Sequence, residues 1–193
     1  MNINPRSTRL IRPLVLALAL AGAPAVALAS ATSATATTCA TTTAHWGSLT
    51  KFLNRMTSAP ITNVRAGRHT CFDRMVVDLR GKGAGYTVRY VSQVLSQGQG
   101  AVIPLRGGAK LDVVIKAPTY NINTGAVTYN PANSRELANV AGFSTFRQIA
   151  FGGSSEGYTT FGIGVRARLP MRVYILDGPG TGSRVVIDVA HHW

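Results

Sequence analysis

Phe72-Asp73-Arg74-Met75-Val76-Val77-Asp78-Leu79-Arg80-Gly81 decides the fold, together with Tyr86-Thr87-Val88-Arg89-Tyr90-Val91 just after it. Successive side chains on a β-strand point to opposite faces. Met75, Val77 and Leu79 therefore share one side, and Arg74, Val76 and Asp78 share the other. That is the pattern of a strand with one face in a core. Gly81-Lys82-Gly83-Ala84-Gly85 separates the two segments and has the backbone freedom to reverse the chain. The sequence thus predicts a β-hairpin over 72–91. A shortened copy of the first segment returns as Arg184-Val185-Val186-Ile187-Asp188-Val189, and both copies fit Arg-x-Val-x-Asp-(Leu/Val). Within one strand the arginine and aspartate are about 13 Å apart and cannot pair. Laid antiparallel and adjacent, the copies set Arg74 against Asp188 and Asp78 against Arg184, two reciprocal ion pairs around Val76 and Val186.

Outward from this pair, strand patterns recur between Gly, Pro and Ser turns: 61–69, 101–105, 110–116, 143–151, 158–168 and 171–176. Tyr120 to Tyr129 pivots at Asn123-Thr124-Gly125 as a small hairpin. Ser48 to Met56 carries Leu49, Phe52, Leu53 and Met56 at helical spacing behind a capping serine, and Ser134 to Leu137 is a second helical turn. The fold class expected is all-β: a sandwich of roughly 8–10 short, mostly antiparallel strands with one or two helical turns.

The first residues read as an address. Arg6, Arg9 and Arg12 precede an apolar run from Leu14 to Ala25, and Ala27-Leu28-Ala29 fits a cleavage site. Residues 1–29 are expected to be a signal peptide, 30–45 a Thr/Ala-rich flexible spacer and 46–193 one folded domain. The apolar run is too short and interrupted for a comfortable membrane span. Losing three arginines takes the formal charge from +13 to +10, with all seven acids retained. A chain this basic and exported meets anionic surfaces. Cys39 and Cys71, an even count in an oxidising compartment, are expected to form a disulfide; a thiol–imidazole pair of Cys71 with His69 is the reactive alternative.

No catalytic constellation is selected by spacing. Gly153-Ser154-Ser155-Glu156-Gly157 matches G-x-S-x-G, but a β-branched run follows where a nucleophile elbow needs a helix, so it reads as a turn. Gly81 to Gly85 lacks phosphate-loop spacing. His45, His69, His191 and His192 form no metal-ligand pattern, so neither metal nor cofactor is expected. Nucleic-acid-binding motifs are also missing. Two features remain: the polar group His69, Asp73 and Arg74, and a basic set with aromatics, Arg65, Arg68, Arg89, Arg106, Arg147, Arg166 and Arg168 with Tyr86, Tyr90 and Tyr158. Arginine beside tyrosine suits sugars and anionic polymers.

Gly67-Arg68-His69, Phe72-Asp73-Arg74-Met75-Val76, Gly85-Tyr86-Thr87-Val88-Arg89-Tyr90-Val91, Thr160-Phe161-Gly162-Ile163-Gly164 and the 184–189 strand resemble the AMIN-like domain of secreted actinobacterial proteins. That domain is similar to the AMIN domain of cell-wall amidases and pilus secretins. The resemblance implies a sandwich with two related halves and a targeting module without catalysis of its own. The expectation is a non-catalytic exported module binding a cell-wall polymer or an envelope protein. His69, Asp73, Arg68, Arg89, Tyr86 and Tyr90 are its expected ligand contacts. A secreted hydrolase of envelope polymers and a strand-adding structural subunit are the alternatives.

Overall fold

The structure, a computed structural model, describes residues 39–193. Eleven strands run in chain order: β1 (Lys51–Leu53), β2 (Ile61–Arg68), β3 (Phe72–Leu79), β4 (Gly85–Val91), β5 (Val94–Leu95), β6 (Val102–Ile103), β7 (Ala109–Lys116), β8 (Phe146–Ser155), β9 (Tyr158–Val165), β10 (Met171–Asp177) and β11 (Ser183–Ala190). They build a five-stranded sheet in the order β1-β4-β7-β9-β8 and a four-stranded sheet in the order β10-β11-β3-β2, with β5-β6 as a separate ribbon. Every pairing between these strands is antiparallel. The result is an all-β sandwich.

The alternation read in the sequence sets the two layers. Met75, Val77 and Leu79 of β3 and Val185, Ile187 and Val189 of β11 are buried in one core with Val88, Leu111, Val113, Ile115, Phe161 and Ile163 of the opposite sheet. At roughly 25 cal/mol per Å² of apolar surface removed from water, such burial is the main term holding the layers together. Polar groups pin the layers at their margins. The Tyr86 hydroxyl donates to the Val173 carbonyl at 3.0 Å, and the Tyr90 hydroxyl donates to the Leu169 carbonyl at 2.8 Å while accepting from the Leu169 amide at 2.9 Å.

β3 and β11 are neighbours in the register expected, with Asp188 opposite Arg74, Val186 opposite Val76 and Arg184 opposite Asp78. β3 and β4, by contrast, are not a hairpin: they lie in different sheets. Gly81 to Gly85 is an arch between layers, and residues 55–57 cross it. Arg55 Nε donates to the Gly83 carbonyl at 2.7 Å and Thr57 Oγ1 to the Lys82 carbonyl at 2.9 Å. The misreading has a physical cause. Two strands that each have one apolar face can pair side by side or stack face to face, and a five-residue linker can bridge the ~10 Å between packed sheets. The hairpin with the short signature is β8–β9, where Glu156 (φ 52°) and Gly157 (φ 78°) both take left-handed backbone angles. The G-x-S-x-G match is thus a turn.

Neither helical expectation holds. Residues 51–53 of the 48–56 segment pair with β4 at the sheet edge, so Leu49, Phe52 and Met56 are left exposed. Residues 134–137 form a turn whose backbone caps β8, Leu137 donating to the Ile149 carbonyl and the Ser134 carbonyl accepting from Phe151. The helix among the described residues is 39–43, inside the stretch expected to be a flexible spacer. Cys39 in it is disulfide-bonded to Cys71, 32 residues on. Asn121 to Val127 does reverse the chain, closed by a Tyr120–Val127 bridge and Gly125 at φ 71°. The expected signal peptide lies outside the described residues.

Candidate functional site

The two sheets finish their outer faces differently. On the five-stranded sheet the outward positions of β8 and β9 include Gly152, Gly162 and Gly164, and chain lies across them. A methyl at Gly162 would stand 2.8 Å from Leu105 Cδ1, one at Gly152 2.6 Å from Ile103 Cδ1, and one at Gly164 would overlap the Arg106 carbonyl oxygen. Only glycine admits that approach. Val94 and Ile103 of the ribbon bury against Ala150 and form a second small core.

The four-stranded sheet carries long polar side chains in the same layer. Across it, one row reads Arg172, Asp188, Arg74, Gly67, the next Tyr174, Val186, Val76, Arg65, and the third Leu176, Arg184, Asp78 with Asn63. Asp188 is fully buried and sits between two guanidinium groups. Arg74 reaches it with Nε at 2.6 Å and Nη2 at 2.8 Å, and Arg172 with Nε at 2.9 Å. Hydrogen bonding to Asp188 holds the Arg74 guanidinium above its ordinary value, against the opposing effect of desolvation. Rings enclose the pair. The Arg172 guanidinium lies 4.4 Å from the Trp46 ring centre and 5.0 Å from that of Tyr174, and Arg74 lies 5.1 Å from that of Phe72. Arg65 clamps Asp78 with two bonds of 3.0 Å.

Asp78 therefore takes its arginine from β2, not β11. Of the two reciprocal pairs read from the repeat, Arg74–Asp188 forms and Asp78–Arg184 does not. Arg184 donates instead to the Asp177 carbonyl at 3.1 Å. Its Nε is, among the described residues, the buried side-chain nitrogen without a hydrogen-bond partner. The sequence repeat is blind to β2, a third strand that competes for the same carboxylate.

Six residues were expected to gather round a ligand, and they do not gather. His69 is exposed and stacked on Phe72, 4.5 Å between ring centres, at the margin of the bare face. Arg68, next to Gly67 but turned the other way, donates to the Gly142 carbonyl. Arg89 is on the outer face of the other sheet, paired with Asp112. Tyr86 and Tyr90 point between the layers, and burial pushes both phenols up. Asp73 is fully buried; its Oδ2 accepts from the Thr145 and Phe146 amides at 2.6 and 2.9 Å, and its Oδ1 lies 3.0 Å from His191 Nε2. It is a fastener between β3, the start of β8 and the residue after β11. The alternation that places Met75 inside places Asp73 inside too, so this signal was in the sequence.

Most of the wider basic set is also used structurally. Arg147 donates to the Phe143 and Phe146 carbonyls, Arg166 to that of His191, and Arg168 to Ser48 while lying over the Tyr90 ring. Arg106 pairs with Glu136, whose hydrogen bond to it holds the glutamate below the usual carboxylate range. Arg172, Tyr174 and Trp46, which do shape the bare face, were not among the expected contacts. The alternation Met171-Arg172-Val173-Tyr174 was the available signal for the first two. No group of three or more metal-ligating side chains occurs among the described residues, and no described helix is long and apolar enough to cross a membrane.

The chain is thus a two-layer sandwich that lays its own residues 103–106 over part of one outer face and leaves arginines and rings on the other. The family model of the AMIN-like domain matches residues 59–191, and the chain belongs to that family. Domains of this family are generally non-catalytic and envelope-associated, and an extracytoplasmic location accords with the Cys39–Cys71 disulfide. Among curated proteins none matches the sequence.

Proposed function

We propose that the protein is a non-catalytic module that binds an anionic polymer of the cell envelope through the outer face of its four-stranded sheet. The observation behind this reading is the Arg172–Asp188–Arg74 row with its ring of Trp46, Phe72 and Tyr174. Asp188 and the rings fix both guanidinium groups in place, so ordering them costs little when a ligand arrives. Each keeps N–H donors beyond those spent on Asp188, and arginine has five. The partly exposed Tyr174 ring offers a sugar an apolar surface with a polar tip, while the buried Trp46 backs the Arg172 guanidinium.

The test is retention on purified cell wall at several salt concentrations. The full chain is expected to be retained at low salt and released as salt screens the charges. Arg172→Gln with Tyr174→Ala should lower retention severalfold, and Arg89→Gln on the opposite sheet should not. A chain that washes through at low salt, or an Arg89 variant that loses as much as the double variant, would falsify this reading.

A further inference from the structure

Four arginines are staged along the bare face in a regular row. Taken along β3, Arg74 stands at its own level and Arg65 at the level of Val76, its partner across β2. Arg184 stands at the level of Asp78, its partner across β11, and Arg80 follows just beyond the strand. Measured along the strand axis these are steps of two residues, about 6.6 Å each, so the row runs about 20 Å. Arg65 and Arg184 stand one strand, about 4.8 Å, to either side of β3, which makes the row a zigzag about that axis. Two hollows lie along it. One of about 210 Å³ is walled by Arg65, His69, Arg74 and Arg184, with Val76 and Val186 among its apolar walls. The other, of about 420 Å³, is walled by Arg65, Asp78, Arg80 and Arg184. Arg65 and Arg184 wall both, so the two hollows adjoin along the groove that follows β3.

The charge in the groove is uneven in a useful way. Asp78 is its single acid and is already clamped by Arg65, while Asp188 lies buried beside Arg74 and Arg172. Among the described residues neither Arg80 nor Arg184 has a carboxylate within ion-pair distance. Four arginines against Asp78 and Asp188 leave +2 along the row (4 − 2), and +3 when Arg172, which shares Asp188 with Arg74, is counted with them (5 − 2).

We infer that the groove takes a linear polymer carrying a phosphodiester at every 6–7 Å, threaded along β3 so that successive phosphates meet Arg74, Arg65, Arg184 and Arg80. The inference rests on the envelope-polymer reading above and names the chemistry of that ligand. Arg74 and Arg65 hold Asp188 and Asp78 with their Nε and Nη2 groups, which leaves Nη1 of each for a phosphate oxygen, and a phosphodiester stays ionised across the neutral range. Phosphates joined through three carbons are six single bonds apart, about 6–7 Å when extended, which matches one arginine per step. A polyuronate spaces its carboxylates by whole sugar rings and alternates their sides, which fits this row less well.

The full chain is titrated with poly(glycerol phosphate), with a polyuronate of equal charge and with oligothymidylate, each across a salt series, and is applied to cell wall before and after its phosphodiester polymers are stripped. The expected result is binding to poly(glycerol phosphate) well above that to polyuronate, and loss of wall retention on stripping. Arg80→Gln with Arg184→Gln should flatten the slope of log affinity against log salt by about 1.4, the counterions of two phosphate contacts. Arg80→Gln alone, at an exposed side chain, should flatten it by about half that and keeps the test readable if Arg184→Gln disturbs the sheet. Equal binding to oligothymidylate supports recognition of the phosphodiester backbone itself. Retention that survives stripping, preference for polyuronate, or an unchanged salt slope in a folded double variant overturns the inference. Surviving retention leaves the envelope reading standing, whereas no retention on either wall removes both.

Discussion

Gly152, Gly162 and Gly164 on the outside of the five-stranded sheet admit the chain of residues 103–106; Arg74, Arg172 and Arg184 on the outside of the four-stranded sheet hold chain away. Both sheets bury the same kind of inner face, so the two layers differ in what they carry outside. A glycine-lined strip lets backbone approach to contact distance and becomes a second core. A strip of arginines covers its own valines: Val76 and Val186 are almost fully buried under the stems of their neighbours, with the charged ends left to water.

That contrast can be broken most sharply at Gly164. Gly164→Ala drives a methyl into the Arg106 carbonyl and should cost about 3 kcal/mol or more, a fall of roughly 6–12 °C in Tm for a domain of this size. Amide exchange across 102–108 should rise with it. If Tm holds, the ribbon is not seated on the glycines. On the bare face, Asp188→Ala removes a buried carboxylate from two arginines that water can still reach. The expected loss is about 2 kcal/mol, below the 3–5 kcal/mol of a fully buried broken pair. An Asp188→Ala protein as stable as the parent would mean that the rings alone position the arginines.

The covered face should also show a pH signature. Desolvation raises the Asp112 carboxyl above its usual range, with the Arg89 hydrogen bond opposing it. A raised carboxyl in the folded state destabilises the fold at neutral pH, and the penalty fades as pH falls through the raised value toward the ordinary one. Asp112→Asn should therefore raise Tm at pH 7 relative to the parent, and the gain should shrink on acidification across that window; a gain that grows on acidification has the sign wrong. The smallest effect belongs to Gly67→Ala, opposite Arg74 on the bare face. A methyl there meets nothing closer than His69 Nε2 at 3.7 Å, so urea unfolding should change by no more than about 0.5 kcal/mol. A large loss would show the bare face to be packed after all.

Legibility followed the range of the interaction. The inward set on β3 and β11, their pairing and the Arg74–Asp188 contact were readable because a period of two and a repeated motif encode them locally. The β3–β4 arch was misread because a strand's face does not say whether its partner lies beside it or across the core. Ser48 to Met56 satisfied a helical spacing but became a short edge strand, since pairing with β4 was available and the segment had no core to bury its apolar stripe in. Asp73 and Tyr90 looked like ligand contacts by type; their hydrogen bonds to Thr145, Phe146 and Leu169 join residues more than seventy positions apart, beyond any local pattern.

By itself the sequence determined that this is a two-faced sheet protein, which strand positions are buried, and that its two arginine–valine–aspartate strands are complementary, because alternation and repeats are properties of the chain. The tertiary structure alone decided which arginines stand together in a row, which are consumed by carbonyls and acids, and which outer face is roofed. Those outcomes depend on which strand wins each neighbour, and that competition is settled only when the layers close.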